Sequence, residues 1–199
     1  MGEAVDRLSE QLAFLEEIDK VKLILRQTSV ADNSRRENDA EHSWHLATMA
    51  LILEEHAAEP VDLMRVIKMV LIHDLVEIDA GDTFAYDEVG AQGQADRERK
   101  AAERIFAILP VDQRAEVDAL WTEFEAKETA ESKYAASLDR FQPMLLNFLS
   151  EGSAWKRHGI RKSQVIARNR HIADGSTALW EYAQKMIDRA VDRGYLLPD

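Results

Sequence analysis

Residues 66–78 (VIKMVLIHDLVEI) constrain this chain more than any other stretch. The run is apolar on most of its circumference, carries neither Gly nor Pro, and reads as a helix buried in the interior. Into that helix the sequence sets His73, Asp74 and Glu77. At about 3.6 residues per turn, His73 and Glu77 stack on one face, and Asp74 lies roughly 100° around the axis. Taken alone, a buried His-Asp pair is equally a hydrogen-bonded core pair. A carboxylate away from water is costly, however, unless it is paired or holds a metal. Three such groups within two turns ask for a cation.

What that cation can be follows from the rest of the composition. The chain has no cysteine, so disulfides and thiolate zinc sites are excluded. A metal must be held by imidazole and carboxylate, which suits manganese, cobalt, iron, zinc or magnesium. The 199 residues suffice for one good-sized core and only marginally for two. No Pro/Gly/Ser-rich linker divides them and no long repeat appears. The N-terminus lacks the pattern of a signal peptide, and no apolar run approaches a membrane span. The expectation is a soluble cytoplasmic protein with no membrane partner. A formal net charge of −12 argues against non-specific nucleic-acid binding. It leaves room for a small phosphorylated substrate, because a metal and a few arginines can reverse the potential inside one cleft.

Apolar periodicity predicts helices over residues 6–25, 40–53, 61–79, 96–109, 111–127, 131–149, 163–172 and 176–193, with a polar loop at 29–38. Asp39 is a fitting cap for the second helix, whose core face takes in Trp44, Leu46, Met49 and Leu51. Residues 81–94 form a Gly-, Asp- and Tyr-containing loop of the length that often rims a site. Asp139 lies among Tyr134, Leu138, Phe141 and Leu145, at the same cost as Asp74. Pro143 has no N–H for the Asp139 carbonyl, which predicts a helix loosened or kinked there. His45 reads as a plain hydrogen-bonded histidine and His56 as a surface one. Arg168, Asn169 and Arg170 read as surface, and no role is visible for His158 or His171.

The order His42, then His73-Asp74, then Asp139 falls on three helices. With its flanks (residues 36–43, Glu77, and Gly81-Asp82) it resembles the HD-domain metal-dependent phosphohydrolase superfamily, in particular its bacterial 5′-deoxynucleotidase branch. The resemblance runs from about Leu23 to about Phe148. It implies an all-α, single compact HD-type helical domain over 1–199, with the metal-site core at 23–148 and the helices of 163–193 packed on it. It also implies one divalent metal ion held by His42, His73, Asp74 and Asp139; the extra histidines of the two-metal cyclic-dinucleotide branch are missing. Glu77 and Asp82 are the implied catalytic carboxylates, with acid and base unassigned between them. Arg26 matches the arginine that contacts substrate phosphate at the end of the first helix, and Arg35 stands near it as a second candidate. Gln27 occupies the place of a tryptophan in the bacterial enzymes, which leaves the preference for deoxyribose open. The implied reaction is hydrolysis of nucleoside 5′-monophosphates, and homodimers are common in the family. Competing readings are another phosphorylated substrate, either a phosphodiester or a guanosine tetraphosphate-type pyrophosphate ester, and a non-catalytic nucleotide sensor. Intact Glu77 and Asp82 speak against the sensor.

Overall fold

In the computed structural model, residues 2–87, 90 and 92–199 are described, with side chains from Asp6 onward; Glu88, Val89 and Ala91 of the expected rim loop lie outside the described residues. The first helix, α1 (Gly2–Ile18), passes into a 3-10 turn at Asp19–Leu23. An antiparallel hairpin follows, β1 (Leu25–Ser29) and β2 (Arg36–Asn38), the one sheet among the described residues. Then come α2 (Asp39–Leu53), α3 (Leu63–Ile72), a 3-10 turn at His73–Val76, and the short α4 (Glu77–Ala80). The remainder is helical: α5 (Gln94–Phe106), α6 (Val111–Ala126), α7 (Ala130–Leu149), α8 (Ser153–His158), α9 (Lys162–Asn169), α10 (Ile172–Gly175) and α11 (Thr177–Asp192). The fold class is the all-α one expected.

Several local expectations are corrected. Residues 25–38 are a hairpin rather than a helix end followed by a loop. Its turn is closed by Val30 N–H to Arg35 O (3.0 Å), and by Asp32 accepting from Ser34 N–H (3.0 Å) while Asn33 adopts φ 59°. This is the Asx-type turn that Asp and Asn favour. The cap of α2 is Asn38, in a reciprocal box with Glu41 (3.0 and 3.2 Å). Asp39 is thereby released from capping and buried in the first turn, facing the interior. Trp44 and Leu51 are not core: they are 66% and 55% exposed, and α2 buries His42, Leu46, Met49 and Ala50 instead. Nor is the helix of 61–79 continuous. It tightens to 3-10 at His73–Val76, where no Gly or Pro announces a change, and such tightening often marks a functional segment. α7 remains helical from Ala130 to Leu149 with Pro143 inside it.

Two apolar clusters form the interior. The larger gathers Leu46, Val66, Met69, Leu138, Trp155 and Ile187 from α2, α3, α7, α8 and α11. The smaller joins Phe14, Val76, Ile105, Phe106 and Trp121 from α1, the 3-10 turn, α5 and α6. Val70 belongs to the first cluster, Leu75 and Val76 to the second. The backbone between them crosses the seam, and there the polar His73 and Asp74 sit.

The helix carrying Asp139 is braced from behind. Gly175 of α10 lies so close to α7 that an added Cβ would stand 2.1 Å from the Lys133 carbonyl oxygen. That neighbour is backbone and cannot swing aside. Gly175→Ala should therefore destabilise the protein by about 1–3 kcal/mol, the usual cost of overpacking, read as a lower urea midpoint. An unchanged midpoint would show that α10 can back away.

Candidate active site

Four elements bring ionisable side chains to the seam: α2 supplies His42, the 3-10 turn His73 and Asp74, α4 Glu77, and α7 Asp139. His42 Nε2 lies 3.1 Å from Asp139 Oδ1 and 3.7 Å from Asp74 Oδ2. His73 Nε2 lies 3.1 Å from Asp74 Oδ1 and 3.7 Å from Asp139 Oδ1. His42, His73 and Asp139 each offer a ligand atom within 4.8 Å of the others.

Both imidazoles have their outer nitrogen engaged. His73 Nδ1 donates to the Val70 carbonyl at 2.9 Å. His42 Nδ1 pairs with Gln142 Oε1 at 3.0 Å, while Gln142 Nε2 donates to Glu37 Oε1 at 2.6 Å and approaches His45 Nδ1 at 3.2 Å. Glu37 draws the NH2 of the Gln142 amide, so the amide oxygen turns to His42 and the proton of His42 sits on Nδ1. Each inner Nε2 then directs a lone pair at carboxylate oxygens, and His73 Nε2 is buried without a hydrogen-bond partner. Lone pairs facing carboxylates repel unless a proton or a metal lies between them. Two imidazole nitrogens and two carboxylates fit a borderline divalent ion.

The electrostatics express the same frustration. Burial, with Arg26 adding to it, pushes the His42 imidazole down to about 4. Burial also disfavours charged His73, but Asp74 and Asp139 outweigh it and raise that ring to about 10. Burial would raise Asp74 and Asp139 too. The surrounding cations hold both well below the ordinary carboxylate range, chiefly His73 and Arg26 for Asp74 and Arg140 for Asp139.

Beside this cluster lies a second one of Asp39, Asp74 and Glu77, gathered around Arg26. Arg26 comes from β1, and its Nη1 donates to Asp74 Oδ2 (2.8 Å) and Asp39 Oδ1 (3.1 Å), while its Nε lies 3.8 Å from Glu37 Oε2. Burial raises Asp39 to about 7, with Asp74 contributing. It drives Glu77 far above the carboxylate range, reinforced by Asp74 and Asp39. Asp82 is raised by burial as well, and its carboxylate accepts from the Gln27 N–H.

An open pocket reaches this acid cluster. Its wall includes Arg26, Gln27, His73, Asp74, Glu77, Asp82 and Asp139 among the residues anticipated from sequence. His42 lies behind that wall, fully buried. Arg35 is elsewhere: its guanidinium forks onto Glu41 at the surface (2.6 and 2.8 Å) and does not line the pocket. Arg168 and Asn169, read from sequence as surface, also line the pocket, and the sequence reading missed Lys127, Arg140, Tyr86 and Trp155 there. Gln142 was missed too, although a polar residue on a buried helix face, one turn beyond Asp139, was the signal.

A helical domain with a cluster of two imidazoles and two carboxylates, reached by an open pocket through His73, Asp74 and Asp139, defines a class of candidate metallohydrolases. Residues 18–180 match the family model described as HD domain, and the chain belongs to that family. It is 56% identical to a predicted metal-dependent phosphohydrolase from Magnetospirillum magnetotacticum MS-1 whose crystal structure is known, with a TM-score of 0.93 and 96% of each chain covered. It is 30% identical over 135 residues to human 5'-deoxynucleotidase HDDC2, a match spanning 67% of this chain and 65% of that protein, just under two thirds of its length. The Danio rerio 5'-deoxynucleotidase HDDC2 is 27% identical over 188 residues, covering 84% of this chain and 92% of its own.

The Glu37–Gln142–His42 relay generates a prediction. Gln142→Leu removes the acceptor that holds His42 in its Nδ1–H form, and should weaken divalent-metal affinity on the order of 10–100-fold with the helical circular dichroism unchanged. Calorimetric titration of the metal-stripped protein reads this directly. Equal affinity in the variant and the wild type would remove Gln142 from the metal site.

Proposed function

We propose that the chain is a divalent-metal-dependent phosphomonoesterase that hydrolyses nucleoside 5′-monophosphates to nucleoside and phosphate. The observation carrying this reading is the pair of imidazole nitrogens turned onto Asp74 and Asp139, reached by a pocket that also exposes Glu77 and Asp82. The printed names of the relatives support the substrate class. His42, His73, Asp74 and Asp139 hold one ion. When bound, it supplies Lewis-acid polarisation of the phosphoryl oxygens and acidifies water.

The chain's own groups do the rest. Glu77 is the base: burial and neighbouring carboxylates make its ionised form a strong proton acceptor, and positive charge beside Asp74 favours that form. It takes the proton of the attacking water. Asp82, also raised by burial and aligned by the Gln27 N–H, hands its proton to the leaving 5′-oxygen as the phosphorus–oxygen bond breaks. Arg26 pairs with Asp74 and Asp39 through Nη1 and, lining the pocket, keeps its Nη2 donors for a phosphate oxygen of the substrate.

Two experiments test the reading. Glu77→Gln should keep the metal yet lose turnover by about 10²–10⁴-fold, as for other general acid–base groups, measured as phosphate release from a nucleoside monophosphate panel. Near-normal turnover would eliminate Glu77 as the base, and turnover of diesters alone would redirect the substrate assignment. Gln27 lines the pocket, and its amide can hydrogen-bond a ribose 2′-hydroxyl. Gln27→Trp should therefore lower kcat/KM for ribonucleotides selectively over their deoxy counterparts. Parallel losses for both sugars would place the sugar elsewhere.

A further inference from the structure

The pocket wall carries charge of both signs, its acids including Glu98 and Glu125 as well as Asp74, Glu77 and Asp82. Arg26 is paired with Asp74 and Asp39 among them. Three further cations line the pocket: Lys127 at the end of α6, Arg140 on α7 and Arg168 in the last turn of α9. Among the described residues, neither Lys127 nor Arg168 has a carboxylate within 4 Å, and Arg140 reaches only Asp139, its Nε lying 3.6 Å from Oδ2. That Nε is buried and has no hydrogen-bond partner. Lys127 adopts φ 53°, a conformation unusual for a residue with a side chain, and its ammonium lies 5.9 Å from the centre of the Phe124 ring. Burial and the charge of Arg140 together lower Arg168. His171, lowered first by burial, is pushed further down by all of Arg140, Lys127 and Arg168. In a chain of net charge −12, three cations that line one pocket, two of them with no carboxylate within 4 Å among the described residues, suit an anion from outside.

Asp139 fixes where that anion would lie. Its Oδ1 faces the imidazoles of His42 and His73, whereas its Oδ2 faces Arg140. One carboxylate thus joins the candidate metal centre to Arg140, and the two are immediate neighbours.

We propose that Arg140, Arg168 and Lys127 form a further subsite for the phosphate dianion of the substrate, beside Arg26, and that this subsite selects a phosphomonoester over a phosphodiester. The proposal rests on the phosphomonoesterase reading above. Three positive charges match the dianion of a monoester better than the single charge of a diester. Arg140 and Arg168 offer planar donor forks suited to two phosphate oxygens each, and Lys127 adds a point charge.

The test uses inorganic phosphate as the probe, titrated calorimetrically into the metal-loaded full chain, so that its outcome does not depend on turnover. Arg140→Met and Arg168→Met should each weaken phosphate binding on the order of 10–100-fold, the scale of a lost hydrogen bond to a charged group, with metal content unchanged. Arg140→Lys should recover part of the loss by restoring charge without the fork. Where the wild type turns over nucleoside monophosphates, KM for them should rise in parallel, while kcat/KM for a diester substrate moves little. Unchanged phosphate affinity in both Met variants overturns the proposal. Should Arg140→Met disturb Asp139 and lose its metal, Arg168→Met, which touches no candidate ligand, decides alone. A wild type that binds phosphate through these arginines but hydrolyses no nucleotide leaves the subsite standing and sinks the nucleotidase reading instead.

Discussion

Everything in this structure answers to one constraint: five carboxylates and two imidazoles are gathered in the interior, with Arg26 among them and Arg140 against Asp139. Removing a charge from water costs several kcal/mol per ion even after relaxation, so each of these groups must be paired, protonated or metal-bound. Arg26 meets part of that demand by reaching Asp74 and Asp39 at once, with Glu37 close to its Nε. Glu77 meets it by resisting ionisation. What remains is the space between His42, His73, Asp74 and Asp139, where a proton on the imidazoles or a metal ion must lie between nitrogen and oxygen. A metal centre is the physical resolution of that residue of charge.

The local architecture follows from delivering these groups. Arg26 has to enter beside α2 and α4, and a strand delivers it there. The tight Asx turn at Asp32–Ser34 reverses the chain so that β2 hands over directly to α2. Asn38 takes the capping role, and the carboxylate of Asp39 is thereby turned inward toward Arg26. The seam between the two apolar clusters supplies the site's location. Groups with unsatisfied charge are best tolerated where packing is interrupted and a pocket admits water and ligand. Such an opening lies along the 3-10 turn between Val70 and Val76.

The sequence made the centre legible and the periphery obscure, for different physical reasons. His73, Asp74 and Asp139 stood out because a charged residue on an apolar helix violates the burial pattern, and such violations concentrate at functional sites. The helical class followed from the same periodicity. Arg26 was noticed but misplaced, since five residues of mixed polarity carry no strand signal and a hairpin is specified mostly by its turn. Trp44 was assigned to the core on hydrophobicity alone, which does not say which face of a helix has a neighbour. Arg168 was read as surface, and Arg140 carried no signal of its own, for the opposite reason. An arginine on a polar helix surface is unremarkable until tertiary structure shows that it lines a pocket with others.

The two oxygens of Asp139 tie these strands together. Oδ1 belongs to the imidazole cluster and Oδ2 to Arg140, so any displacement of α7 moves Asp139 and Arg140 together. This makes the rigidity of α7 a functional property. The helix continues through Pro143, where the Asn147 amide donates to the proline's own carbonyl, and it is backed by Gly175 in close backbone contact. A phosphate bridging the metal centre and Arg140 needs both at fixed separation, because misplacement by an ångström can cost orders of magnitude in rate. The tight packing behind α7 and the charge distribution in front of it are therefore parts of one arrangement.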